Sequence, residues 1–224
     1  MKNSRELTDR QQPGTHAEIA YAGVVSTFIA ASKDAHMIVT GSRGVDAFSA
    51  YRLGSVSAAL LRDAWCPIAI VHDAESGDPN GRDALPVLLG IDGTPASEAA
   101  TALAFDEAFR RQAPLLALHA WSDVGVFPIL GMDWHVNRDQ GDEALAERLG
   151  GWHERYPDVQ VQRQLVCDVP ARWLVEESTE AQLVVLGRRG RGGYPGMRLG
   201  SVSSAVAQSA RVPVIVVPDD QPPD

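Results

Sequence analysis

The chain has 224 residues, 45% of them hydrophobic, enough for one full domain and part of another. Its net charge of −9 argues against nucleic acid and anionic membrane as general partners, because both demand a basic face. No apolar run approaches the roughly 20 residues of a membrane span, and Met1 to Gln12 lacks a signal-peptide core, so a cytoplasmic protein is expected. Cys66 and Cys167 have neither metal nor disulfide spacing and read as semi-buried thiols; the six histidines are scattered, and His119 reads as a packed strand residue.

In chain order, residues 17–20 are assigned as a strand, 24–32 as a helix, 37–40 as a strand, 55–64 as a helix and 68–71 as a strand, by register with the later part of the chain. Residues 72–84, rich in Asp, Gly and Pro, form a linker. Residues 87–91 follow as a short apolar strand of the buried parallel kind. Thr94-Pro95 has the form of an N-cap followed by proline at the first helical position, with a helical stripe of Ala100, Leu103, Ala104 and Ala108 behind it. Residues 115–120 are a second strand, and 122–141 a connection of the length that lids have. A helix carrying Leu145, Leu149, Trp152 and Tyr156 precedes a third strand at 159–166, whose partial alternation puts it near a sheet edge. Asp168-Val169-Pro170 opens a helix to about 179; 183–186 and 214–217 are the fourth and fifth strands, with a helix at 201–210 between them. Strand and helix alternate throughout, which predicts a doubly wound α/β domain on a five-stranded parallel sheet.

One pattern occurs twice. Gly41-Ser42-Arg43-Gly44, nine residues, then Gly54-Ser55 is repeated as Gly187-Arg188-Arg189-Gly190, nine residues, then Gly200-Ser201, at a constant offset of 146. Residues 37–71 align on 183–217 without a gap, 14 of 35 identical, the mark of an internal duplication. In the second copy the fourth strand runs into Gly187, which lets the backbone bend close to a ligand. Gly200-Ser201 opens a helix whose first turn offers unpaired amides and partial positive charge. A phosphate between them would be held by amides from both sides. Ser201 and Ser203 add hydroxyls, and Arg188, Arg189 and Arg191 add charge in an otherwise acidic chain. A flexible surface loop is the alternative for one isolated copy; two copies in the same strand-to-helix context favour phosphate. Asp92 and Ala120 end the first and second strands, where open parallel sheets bind ligands. Asp92 can accept a hydrogen bond from a base or ribose, although Asp before Gly is also an ordinary turn former.

These residues resemble the universal stress protein family, whose hallmark Gly-x2-Gly-x9-Gly-(Ser/Thr) is met by Gly187, Gly190, Gly200 and Ser201 and again by Gly41, Gly44, Gly54 and Ser55. Ile91-Asp92-Gly93-Thr94 and Pro213-Val214-Ile215-Val216-Val217 fit as well. The resemblance is to the tandem actinobacterial type. It implies a first repeat over 1–71 that lacks its opening half, a linker at 72–84, a complete domain over 85–218 and a tail at 219–224. It implies binding of ATP, with or without Mg²⁺, through Asp92, Ala120, Leu186, Gly187, Arg188, Gly190, Gly200, Ser201 and Val202. It also implies pairing of fifth strands, either 68–71 with 214–217 inside the chain or between chains of a homodimer. The first copy has no equivalent of Asp92 or Ala120, so it is expected not to bind ATP alone; a mis-assigned start or a natural truncation would each account for that. The open edge of 37–41 is expected to invite association.

The expected function is a nucleotide-dependent stress-response or regulatory protein, not an enzyme. No side chain is positioned as base or nucleophile, and the Gly-Lys-Ser/Thr phosphate signature is absent. The alternatives are a non-nucleotide interaction or dimerisation module and a slow ATPase or phosphoryl-transfer enzyme.

Overall fold

The computed structural model describes residues 14–42, 53–72, 82–94, 97–120, 134–167, 169–190 and 197–219, the side chains of 134–141 and 144 excepted. The chain order is α1 (Val24–Ala31), β1 (Ile38–Gly41), α2 (Ser55–Asp63), β2 (Ile68–Val71), β3 (Val87–Gly90), α3 (Glu98–Arg111), β4 (Leu115–Ala120), α4 (Trp134–Arg155), β5 (Val161–Val166), α5 (Pro170–Glu177), β6 (Leu183–Gly187), α6 (Ser201–Ser209) and β7 (Val214–Val217).

The strands form one sheet in the order β1-β2-β7-β6-β3-β4-β5. Neighbours are parallel except β2 and β7, which meet antiparallel with Ala69 opposite Ile215. The two fifth strands of the duplicated pattern therefore pair within the chain. Val87, Leu88, Leu89, Val184, Val185 and Val214 have no exposed surface, the signature of strands covered on both faces. On one face Leu60, Leu61, Leu174, Val206 and Ala207 of α2, α5 and α6 form the core. On the other, Ala100, Ala104, Phe105 and Ala108 of α3 meet Leu145 and Leu149 of α4, and Phe105 stacks on Trp152 and Tyr156.

The duplication is visible in individual hydrogen bonds. Ser42 N donates to Val71 O at 2.8 Å, and Arg188 N to Val217 O at 2.7 Å; Gly54 N donates to Ser42 O, and Gly200 N to Arg188 O, both at 2.8 Å. Ser57 Oγ donates to Gly41 O at 2.8 Å and Ser203 Oγ to Gly187 O at 2.6 Å. Each is the other displaced by 146 positions.

Three sequence expectations are corrected. Residues 17–20 form no strand and are exposed. A strand needs a ladder partner; β5, their counterpart, pairs with β4, and among the described residues of the first half no strand corresponds to β4. The helix expected to start at Thr94-Pro95 starts at Glu98 after Ser97. The Thr94 amide and hydroxyl both donate to Asp92 Oδ1, at 2.9 and 2.7 Å, which takes the hydroxyl away from capping; Pro95 lies outside the described residues. The connection expected over 122–141 is helical from Trp134, and residues 121–133 lie outside the description. Gly44 and linker residues 73–81 lie outside it too. Cys66 is buried, as is His119, whose Nδ1 lies 2.7 Å from Ile91 O, whereas Cys167 is exposed.

Candidate functional site

The carboxyl ends of β3, β4 and β6 and the amino ends of α5 and α6 enclose a crevice of about 510 Å³. That size and position suit a small-molecule site on an open α/β sheet. Its walls are built from both kinds of sequence signal. β6 stops at Gly187, the chain passes Arg189 and Gly190, and it returns through Met197 to Gly200, the N-cap of α6. Gly200 has φ −68° and ψ 152°, ordinary extended backbone, so glycine is there for proximity and not for a left-handed turn. A Cβ on Gly200 would lie 3.2 Å from Arg188 O and 3.5 Å from Arg189 Cα. One on Gly190 would lie 2.7 Å from Asp92 Oδ2. The cradle is thus narrow at two points where a side chain would fill it. Gly93, by contrast, does need its conformational freedom: at φ 75° it carries the Asp92–Thr94 turn.

Asp92, Ala120, Leu186, Gly187, Gly190, Gly200, Ser201 and Val202 all line this crevice. Asp92 is also the turn former that its neighbour Gly93 suggested, since Oδ1 serves Thr94 while Oδ2 faces Gly190. Arg188, also expected at the site, does not line the crevice. Its side chain turns away and is 3% exposed, with Nη1 donating to Ala64 O at 3.0 Å and Arg62 O at 3.3 Å. Burial lowers the Arg188 guanidinium below its ordinary pKa, and the nearby Asp219 carboxylate opposes that shift. Among the described residues, the cation that lines the crevice is Arg189, which is ion-paired to Asp219.

Sequence reasoning missed one whole wall. Val169, Pro170, Ala171 and Leu174, at the start of α5, face the glycine turn across the crevice. Val169 has φ 44°, a strained conformation for a β-branched residue, at the crevice rim. The available signal was Pro170, which opens a helix at the carboxyl end of a strand, the same rule that located Asp92. Ser97 and Met197 complete the rim. Chemically, the crevice offers backbone amides and hydroxyls at the α6 end, an apolar centre of Leu118, Leu174 and Leu186, and a carboxylate at the β3 end.

The sequence profile of the universal stress protein family matches residues 12–72 and 85–218. A universal stress protein of Mycobacterium tuberculosis strain H37Rv is 54% identical over 204 residues, covering 91% of this chain and 68% of its own length. One of Mycobacterium bovis is 53% identical over 200 residues, covering 89% and 68%. Among solved structures, a universal stress protein from Archaeoglobus fulgidus superposes with a TM-score of 0.63 at 26% identity, over 87% of this chain and 66% of that one. The chain thus spans about two thirds of the length of these relatives.

Proposed function

This chain belongs to the universal stress protein family, and from that premise we propose that it binds an adenine nucleotide in the β3–β4–β6 crevice and acts through occupancy, as a stress-response regulator. The observation that carries the reading is the lining of the crevice, which joins a glycine turn to a helix start. Gly187, Gly190 and the first turn of α6, with Ser201 beside them, form the arrangement that receives phosphate. Asp92, whose Oδ2 faces Gly190, and Ala120 line the same crevice at the ends of β3 and β4.

The lack of room for a side chain at Gly190 and at Gly200 supports the glycine turn as the seat of the ATP phosphates. Arg189 would share its charge between Asp219 and the phosphates. Asp92 Oδ2 would accept from the ribose or base, and the α5 wall would exclude water from the sugar. Mg²⁺, if carried, comes with the phosphates: Asp92 is the one carboxylate among the described lining residues, and its Oδ1 is committed to Thr94. Turnover is accordingly slow, below the roughly 1 s⁻¹ of ordinary kinases.

Titration calorimetry with ATP, ADP, AMP and GTP tests the reading. Adenine nucleotides should bind with one site per chain and GTP more weakly; equal affinity for GTP would remove the base from the assignment.

A second reading, an interaction module, draws on exposed apolar surface in the first half. Val39 is 63% exposed, whereas its counterpart Val185 is fully buried beneath α3. Mass measured by light scattering, rising with concentration and unchanged by ATP, would favour it.

A further inference from the structure

The glycine turn is held at both ends by the other half of the chain. After Gly187, the Arg188 guanidinium donates to Ala64 O at 3.0 Å and to Arg62 O at 3.3 Å. Before Gly200, Arg198 Nη1 donates to Asp63 Oδ1 at 2.8 Å. Residues 62–64 are the last turn and C-cap of α2. A helix C-terminus carries unsatisfied carbonyls and partial negative charge, so it is a natural seat for two cations.

The far end of α6 is gripped from the same side. The ring nitrogens of His72, just past β2, lie 3.0 Å from Ala207 O and 3.0 Å from Val212 O. The first half therefore touches α6 and its turn from both directions. At the Arg188 position the arrangement is one-sided: its counterpart Ser42 keeps the two backbone bonds but has no guanidinium to send across.

Beyond α2 the contacts continue. Trp65 N donates to Ser32 Oγ at 3.0 Å, and Lys33 Nζ sits 5.5 Å from the Trp65 ring centre. Ser32 caps α1, whose Val24 and Phe28 are exposed. A contiguous chain of contacts thus runs from the glycine turn through residues 62–65 to an exposed surface of the first half.

Resting on the nucleotide reading above, we propose that Arg188 and Arg198 are positioning residues that couple the crevice to the last turn of α2, so that adenine nucleotide bound at the turn orders residues 62–65. The coupling is reciprocal. Whatever nucleotide does to α2, loosening α2 does to nucleotide affinity by the same factor. The first half is then the part of the chain that reports occupancy.

The test uses the full chain. Amide hydrogen exchange is followed with and without saturating Mg-ATP, with occupancy measured in parallel by calorimetry. Exchange in residues 58–66 should slow on binding. Because the Arg198–Asp63 pair is partly exposed, Asp63→Ala should weaken Mg-ATP about two- to five-fold. The swapped double variant, Asp63→Arg with Arg198→Asp, should recover most of that loss, which a merely structural role for either side chain would not allow. Arg188→Met removes a buried cation from the junction and would mix a folding defect with a binding one, so the partly exposed pair carries the test. ATP binding with unchanged exchange in 58–66, or Asp63→Ala with wild-type affinity, overturns the coupling alone. Failure of the wild-type chain to bind any adenine nucleotide overturns both it and the reading beneath it.

Discussion

Replacing Gly200 with alanine separates a nucleotide cradle from a mere helix start. At φ −68° and ψ 152° alanine meets no backbone penalty, so the apo protein should lose about 0.5–1 kcal/mol, the gap between glycine and alanine at an N-cap, together with the cost of the crowding at the turn. The new Cβ, however, lands 3.2 Å from Arg188 O and 3.5 Å from Arg189 Cα, both main-chain atoms that cannot swing aside. The turn must move off α6 by a few tenths of an ångström, and the amides converging on a phosphate separate. A tenfold loss of affinity is the expected scale, about 1.4 kcal/mol. With ATP at about 100 times its wild-type Kd, occupancy stabilises the fold by roughly 2.7 kcal/mol, and the variant would keep about half of that. In a chain of this size the difference is about 3–6 °C in Tm, resolvable by thermal denaturation with and without Mg-ATP. Gly54→Ala is the internal control, because Gly54 has the same backbone, φ −59° and ψ 153°, and the same hydrogen bond to the preceding turn. If Gly200→Ala leaves the ATP-induced shift intact, or Gly54→Ala removes as much of it, the reasoning fails.

Asp92→Ala should weaken ATP more than it weakens inorganic phosphate in competition calorimetry; equal losses would take Asp92 away from the ribose and base. Ser203→Ala removes the buried hydroxyl that holds Gly187 O at 2.6 Å, so the apo protein should lose about 0.5–1.5 kcal/mol in urea unfolding, and no loss would mean the bond is dispensable. In the native protein a thiol reagent should label exposed Cys167 quickly and buried Cys66 only on unfolding; two fast thiols would contradict the burial of Cys66. Burial also raises the Cys66 pKa. As pH climbs past the ordinary thiol range, the unfolded chain loses its proton first and stability should fall, a slope that Cys66→Ala should flatten.

Much of the fold was legible because the duplication carries its own register. Matching 37–71 to 183–217 located β1, α2, β2, β6, α6 and β7 together, and the continuous apolar runs of β3 and β4 needed only length and flanking glycine to be read as buried strands. Residues 17–20 were misread because a strand is a pairwise object: their sequence survives the comparison, but among the described residues of the first half there is no strand to pair with them. The start of α3 was misread because Asp92 and Thr94 close a turn on each other before the helix begins. Arg188 illustrates a different gap. A motif names residues, not the direction of their side chains: Leu186, inside β6, lines the crevice, whereas Arg188, just past the end of β6, sends its guanidinium to Arg62 O and Ala64 O at the end of α2. The α5 wall went unread because Val169 reaches the rim through a left-handed backbone that its sequence does not advertise.

The most direct test of the central claim is to acid-quench freshly purified protein, or protein saturated with ATP and stripped of excess, and count adenine nucleotide released per chain. The crevice at β3, β4 and β6 predicts one. Two would mean that the first copy, with Gly54 and Ser55 at its own turn, completes a site from elsewhere. None, together with no thermal shift on adding Mg-ATP, would contradict the account.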